Sequence, residues 1–324
     1  MAIKSREEVL EILEMPGDEF EKTVKNEAKS MHREVGGDAI SVTALFGYDN
    51  ICKNQCTYCG MRAGKSDVKR YRIGLGDALK TIDSVKDLGL KRLFLISGED
   101  PKYDFRDIVS MVEYGKEKGL FMSLAAGEFE DEQYITLMGA GLDEYVLKFE
   151  TSDRDMFERI KPSTTFDNRM RCIDAIRDTG MALGSGNIVG LPGQSLGQVA
   201  DDIMLMKELG ISWAPIIPYM PVPGTPLAAE GGRGSLETTM KEIAILRLMM
   251  PDVHITAQQP GENPKNGLAD VEGNLDALAS GADMLFVDML PSALRKEFNV
   301  ISDRMIEGMD KVKNLSDISG MPIL

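Results

Sequence analysis

Eight short β-type runs alternate with helix-period stretches along this chain of 324 residues, and no other feature limits its fold as strongly. The runs fall at residues 39–45, 92–97, 121–125, 144–149, 182–189, 212–218, 254–257 and 283–287. Between them apolar residues recur at helical spacing over 75–88, 105–118, 131–140, 166–179, 196–209, 236–250 and 268–280. Strand, helix, strand in that order makes parallel βαβ units with right-handed crossovers, and eight such units close into an α/β structure, a (β/α)8 TIM barrel. A last helix is expected over 300–312, outside the eighth strand. Ahead of the barrel, Ser5-Arg6-Glu7-Glu8 reads as a capping box, and a second polar helix over 18–35 follows the break at Pro16-Gly17. Residues 1–36 are therefore expected to form an N-terminal helical extension, and 37–324 the barrel domain.

Directly after the first strand come Cys52, Cys56 and Cys59, in Asp49-Asn50-Ile51-Cys52-Lys53-Asn54-Gln55-Cys56-Thr57-Tyr58-Cys59-Gly60-Met61. Barrel enzymes build their sites at the C-terminal ends of strands, so this loop sits where chemistry is expected. Three thiolates on one tight loop can hold three irons of a 4Fe-4S cluster and leave the fourth iron open to another ligand. Zinc usually takes four ligands at paired spacings, and the other soft candidates, Cys172, His32 and His254, stand at no partner spacing. A disulfide framework is opposed by the length of the chain, by the odd cysteine left over and by the lack of an apolar signal stretch. Cys172, at helical spacing with Met170, Ile173 and Ile176, reads as buried and inert.

Composition narrows the partners. A net charge of −15 argues against nucleic acid, whose binding depends on neutralising phosphates with Lys and Arg. No run of eighteen apolar residues appears, so no membrane span is expected, and the protein is read as cytoplasmic and reduced. The 21 methionines read first as fillers of irregular core gaps, with contact to a soft ligand as the alternative.

The Cys-x3-Cys-x2-Cys pattern, with an aromatic residue before the last cysteine, resembles the signature of radical S-adenosylmethionine (SAM) enzymes. That resemblance implies a TIM barrel of the radical SAM type, a 4Fe-4S cluster and SAM as cofactors, an electron donor such as flavodoxin or ferredoxin, and a small-molecule substrate. Its chemistry is reductive cleavage of SAM to a 5′-deoxyadenosyl radical that abstracts hydrogen. The remaining strand ends can then be assigned tasks. Glu99, in Ser97-Gly98-Glu99-Asp100-Pro101, resembles the motif that receives the SAM amino group. Glu128 and Glu150 end the third and fourth strands, and Glu150 can accept from the ribose hydroxyls or the ammonium. Arg169 offers a planar fork that matches the SAM carboxylate, its alternative being an exposed arginine at a helix start. Gly186 and Asn187 lie on a glycine-bearing strand that an adenine can approach closely, with Tyr58 and Ile188 as apolar walls.

Residues 42–289 resemble the branch that contains biotin synthase, methylornithine synthase and the FeFe-hydrogenase maturase HydE, most specifically the HydE type. Lys69-Arg70-Tyr71-Arg72, Glu150-Thr151, Phe166-Asp167-Asn168-Arg169, Val189-Gly190-Leu191-Pro192-Gly193-Gln194 and Pro223-Gly224-Thr225-Pro226-Leu227 carry that likeness. With no cysteine after Cys172, sulfur insertion of the biotin synthase kind is not expected. Pro215, Gln258, Gln259 and Pro260 stand where methylornithine synthase places charged groups, so an interior lined by amides and apolar groups is expected. HydE-type chains usually carry threonines at the positions of Gln258 and Gln259, and arginine and histidine at those of Lys148 and Phe149, which points to a different substrate. Three readings stand at this point: a HydE-like enzyme of metal-cofactor or hydrogenase maturation, a carbon-skeleton rearrangement like that of methylornithine synthase, and a cluster-binding scaffold without turnover. Oligomeric state stays open.

Overall fold

In a computed structural model of the chain, residues 3–301, 304, 306 and 308–324 are described. Among the described residues there are ten strands: β1 (Ser41–Asp49), β2 (Arg92–Ser97), β3 (Phe121–Ala125), β4 (Glu144–Val146), β5 (Ala182–Gly184), β6 (Ile188–Val189), β7 (Trp213–Ala214), β8 (Ile217–Pro218), β9 (His254–Ile255) and β10 (Met284–Asp288). Eight of them pair in parallel in the order β10-β1-β2-β3-β4-β5-β7-β9, and a parallel bridge from Thr256 to Met284 joins the two ends into the expected barrel. Every residue of β1 is buried, as befits a strand between two others and covered on both faces.

Two expected strands are each broken in two. Residues 182–189 separate into β5 and β6, and 212–218 into β7 and β8, with β6 and β8 pairing only with each other. Pro215 explains the second break, because it has no N–H to give to a ladder. β4 stops at Val146 instead of reaching Phe149; beyond it, the carbonyl of Lys148 accepts from Arg169 Nη1 at 2.5 Å. The helix expected over 300–312 is also corrected. Residues 302, 303, 305 and 307 lie outside the described residues, Val300, Ile301, Arg304 and Ile306 are not helical, and the helix runs Met309–Ser319. A helix at Arg154–Ile160, capped by Asp153, had no counterpart among the expected elements.

The first three helices are α1 (Arg6–Glu14), α2 (Gly17–Lys22) and α3 (Val24–Gly36). Ser5 and Glu8 form the capping box on α1. Thr23 interrupts the expected second helix between α2 and α3. Val9, Ile12, Leu13, Phe20, Val24 and Ala28 are buried and join the same apolar core as the barrel's outer helices. Arg6 pairs with Asp201, and Lys241 Nζ donates to the carbonyls of Leu13 and Met15, so polar ties flank that apolar seam. Among the described residues, no helix is long and apolar enough to cross a membrane.

Candidate active site

The cysteine loop is held by atoms that its sequence supplies. Asp49 ends β1, and its Oδ1 accepts from Ile51 N at 2.6 Å. Burial and the neighbouring Asp100 push the Asp49 carboxyl up to about 8. Asn50 donates to the carbonyls of Lys69 and Glu297 and accepts from Tyr71 N. The guanidinium of Arg70 gathers four carbonyls, those of Asn50, Met61, Arg62 and Lys65. At Gly98 a β-carbon would come within 2.2 Å of the Ile51 carbonyl oxygen and 2.8 Å of Cys52 Cβ, so only glycine lets β2 pass this close to the loop. On the far side, Thr57 N donates to Ile160 O and Gln55 N to Ser163 Oγ, which ties the loop to residues 160–163.

Cys52, Cys56 and Cys59 all line one cavity of about 310 Å³ at the C-terminal mouth of the barrel, together with Tyr58, Glu99, Lys148, Glu150, Lys161, Arg169 and Ile188. Burial pushes the Cys59 thiol up to about 12, with Cys56 adding to the effect, and Cys52 is raised by burial as well. Cys172 is fully buried away from this cavity, beside Arg171 and the Phe129 carbonyl. Among the described residues, no three His, Cys, Asp or Glu side chains gather closely enough to hold a single metal ion.

Most of the expected site residues meet here, in arrangements that the sequence does not display. Glu150 has φ +65°, a left-handed conformation unusual for a residue with a side chain, and its backbone is locked between Gly186 O and Ile188 N. Its carboxylate accepts from Tyr58 OH at 2.8 Å and stands 3.7 Å from Lys161 Nζ and 3.6 Å from Lys148 Nζ. Burial raises the Glu150 carboxyl, but Lys148, Lys161 and Arg169 outweigh it and hold it below the usual range. Arg169 is 2 % exposed, so the surface alternative is excluded. Its Nε donates to Glu128 at 2.8 Å, and Glu128 also accepts from Thr164 Oγ1 and Asn168 Nδ2. Glu128 thus sits behind Arg169 rather than on the cavity wall. Glu99 lies against Gly127, where a β-carbon would come within 1.8 Å of Glu99 Cγ, and its carboxylate is 3.5 Å from Lys53 Nζ.

Gly186 and Asn187 do not line the cavity. A β-carbon on Gly186 would face Ile216 and Met206, and the Asn187 amide donates to Asp202 at 3.2 Å and Glu242 at 3.4 Å behind the wall. Gln258 and Gln259 are likewise turned away. Gln258 exchanges two bonds with the backbone of Phe286, and Gln259 donates to Ile216 O and Thr256 O, so the expected amide lining is absent. Instead Leu45, Phe94, Val146, Trp213 and Phe286 form an apolar inner wall. Lys161 and Trp213 escaped the sequence reading. A single lysine in Arg159-Ile160-Lys161-Pro162 carries no pattern, and an apolar strand residue looks the same whether it faces cavity or core.

A family model described as the radical SAM superfamily matches residues 49–206. The FeFe hydrogenase maturase subunit HydE of Thermotoga maritima is 31% identical over 297 residues, which cover 91% of this chain and 83% of that protein. This chain belongs to the radical SAM superfamily. A biotin synthase of Acinetobacter calcoaceticus is 30% identical, covering 80% of this chain and 79% of that enzyme. The crystal structure of the methylornithine synthase PylB superposes with a TM-score of 0.86 at 23% identity, over 99% of this chain and 94% of that one, which speaks for the shared fold. Radical SAM proteins are enzymes that use a 4Fe-4S cluster and SAM, and the Cys52, Cys56 and Cys59 motif is present here. The donor set fits such a group: three cysteines on one cavity, an N–H from Met61 directed at Cys59 Sγ at 3.4 Å, and no fourth cysteine on the wall.

Proposed function

We propose that Cys52, Cys56 and Cys59 hold a 4Fe-4S cluster and that the charged wall beside them binds SAM, making the protein a HydE-like radical SAM enzyme. The chemistry such a cluster and SAM supply is one-electron cleavage of SAM to a 5′-deoxyadenosyl radical, which takes hydrogen from a substrate. The carrying observation is that the cysteines share one cavity with both carboxylates and cations on one side and an apolar wall on the other. SAM brings an ammonium, a carboxylate, a diol and an adenine, and the charged side has a group for each of the first three. Glu99 accepts from the ammonium, with Glu128 keeping Arg169 oriented toward the carboxylate. Glu150 accepts from the ribose, its charge maintained by Lys148 and Lys161. Tyr58 and Ile188 flank the adenine, while Gly186 and Asn187 support the strand end from behind. A scaffold for cluster delivery has no use for this clamp.

The substrate side of the reading is a small molecule of the metal-cofactor or hydrogenase maturation type, with electrons from a flavodoxin or ferredoxin in a cytoplasmic setting. Residues 1–36 serve as a buttress on the barrel of 37–324. Anaerobic reconstitution tests the core of this. About four irons per chain are expected from the cluster composition, with an electron paramagnetic resonance signal that SAM perturbs and 5′-deoxyadenosine formed on reduction. Cys56→Ala should lose all three, whereas Cys172→Ala should keep them. A signal indifferent to SAM would overturn the assignment.

A further inference from the structure

Arg304 is 8 % exposed and lines the cavity mouth beside Phe298 and Ile306. Its Nη2 donates to Asp288 at 2.7 Å, but Nε and Nη1 are buried and have no partner among the described residues. Arg247, also buried, behaves differently: Nε donates to Gly281 O, Nη1 to Pro251 O and Nη2 to Asp283. Leaving a buried donor unpaired is costly, and a guanidinium keeps its charge even there. Two such donors in one side chain at a cavity mouth are positioned to bind a ligand's acceptors.

We infer that Arg304 anchors an anionic group of the substrate, so that the molecule taken up is a small anion with an apolar body and no ammonium. This rests on the radical SAM reading and narrows its substrate class. The guanidinium lies 5.0 Å over the Phe298 ring, and Phe298 packs on Gly47 of β1 so closely that a β-carbon there would come within 2.8 Å of it. Its position is therefore set by the barrel. A second cleft of about 780 Å³ shares Phe298, Arg304 and Ile306 with the cavity, which places Arg304 on the wall between them. Deeper in, the polar group of the Leu45, Phe94, Val146, Trp213 and Phe286 wall, the Trp213 N–H, already donates to Thr256 Oγ1 at 3.0 Å. Among the described residues, the acidic side chains lining the cavity are Glu99 and Glu150, each already facing lysine. None is left on the apolar side to receive a substrate ammonium, whose uncompensated burial is costly.

Trp213 is the chain's one tryptophan and stands on the cavity wall, so its fluorescence reports what enters. The probes are hexanoate, hexanamide and 6-aminohexanoate, titrated into anaerobically reconstituted enzyme with SAM. Hexanoate should bind about tenfold or more tighter than the other two, as expected for hydrogen bonds to charged groups. Arg304→Gln should erase the difference between hexanoate and hexanamide while cluster iron and SAM cleavage persist. Arg304→Lys, which keeps the charge, should retain a smaller preference and serves where the glutamine variant does not fold. Equal binding of hexanoate and hexanamide by the wild type, absence of binding by all three, or a preference that survives in folded Arg304→Gln would each overturn the inference. 5′-Deoxyadenosine measured in the same samples separates the two levels. Its formation without an anion preference removes the Arg304 inference alone, and its absence from the wild type removes the radical SAM reading whatever the probes do.

Discussion

The two ends of the barrel differ in how fully they satisfy buried charge. At the N-terminal ends of the strands, Glu144 accepts from Ser123 at 2.7 Å and Ser212 at 2.6 Å, and Asp283 accepts from Arg247, from Ile255 N and at 2.6 Å from His254 Nδ1. Arg92, the exception there with an unpaired Nε, is covered by the Phe121 ring at 3.9 Å. At the C-terminal ends short contacts stand beside open ones: Tyr58 donates to Glu150 at 2.8 Å and Arg304 to Asp288 at 2.7 Å, but Glu99 meets Lys53 only at 3.5 Å, both lysines near Glu150 stand beyond 3.5 Å, and Arg304 leaves two donors unpaired. Short, saturated contacts close the first end as a plug. Loose ones at the second leave donors and acceptors that a ligand can complete, which is where barrel enzymes work. The Glu128–Arg169 pair, at 2.8 Å, belongs by geometry to the first kind although it lies at the second end, in keeping with the supporting place proposed for it.

Removing one partner from the closed end should cost the most stability. Asp283→Asn leaves Arg247 buried without its counter-charge, so unfolding by denaturant should show a loss of about 3–5 kcal/mol, the range for breaking a buried pair. SAM affinity of the folded fraction should not change. A loss below about 1 kcal/mol, the value of exposed pairs, would dissolve the contrast. Acid adds a check of sign. Burial raises the Asp283 carboxyl, but His254 and Arg247 outweigh it and leave it depressed, so its stabilisation is present above the ordinary carboxylate range and is lost as pH falls through the depressed value.

Asp202, in the wall behind the site, should show the reverse sign. It accepts from Ser152, Asn187 and Gln194, yet burial pushes it up to about 6. A group raised in the folded state stabilises below its unfolded value near 3.8 and loses that contribution as pH rises through about 6. The stability of wild type relative to Asp202→Asn should therefore fall by roughly 3 kcal/mol between about pH 3.5 and 7, since each pH unit over which only the folded chain holds the proton is worth about 1.4 kcal/mol. A flat difference across that window would show that the donors around Asp202 fully offset its burial.

How much of this was legible beforehand follows from what a sequence can encode locally. Strand and helix alternation is periodic, so the barrel could be read from it, and the cysteine spacing places its own loop. Glycines at 98 and 127 announce close approach but not what approaches, which proved to be Ile51 and Glu99. Side-chain direction is set by tertiary packing, and there the reading failed: Gln258 and Gln259 turned to backbone carbonyls, while Lys161 turned inward to the cavity. The break at Pro215 was visible as a proline, but its effect depended on which neighbour it lost.

At the open end, Arg169→Ala should weaken SAM binding by about 1.5–3 kcal/mol, the range for hydrogen bonds to charged groups, with cluster iron unchanged. Glu128→Gln should give a smaller loss, because it removes the charge that orients the fork rather than the fork itself. Equilibrium dialysis with SAM measures both. Equal affinity in wild type and Arg169→Ala would return that pair to a purely structural place and shift the boundary between the two ends toward the mouth.

The smallest expected effect is none, and it decides what the loose end accepts. Free lysine carries a carboxylate and two ammonium groups, and a site for it needs acids that are not already engaged. Glu99 and Glu150 line the charged side and face Lys53, Lys148 and Lys161, while the opposite wall of Leu45, Phe94, Val146, Trp213 and Phe286 has no carboxylate to offer. Burying an ammonium against that wall is costly without a partner. Dithionite-reduced enzyme should therefore release 5′-deoxyadenosine slowly from SAM, at a rate that lysine leaves unchanged. A lysine-dependent increase with methylornithine as product would show that the carboxylates at the open end serve the substrate, and it would replace the HydE-like reading by a carbon-skeleton rearrangement.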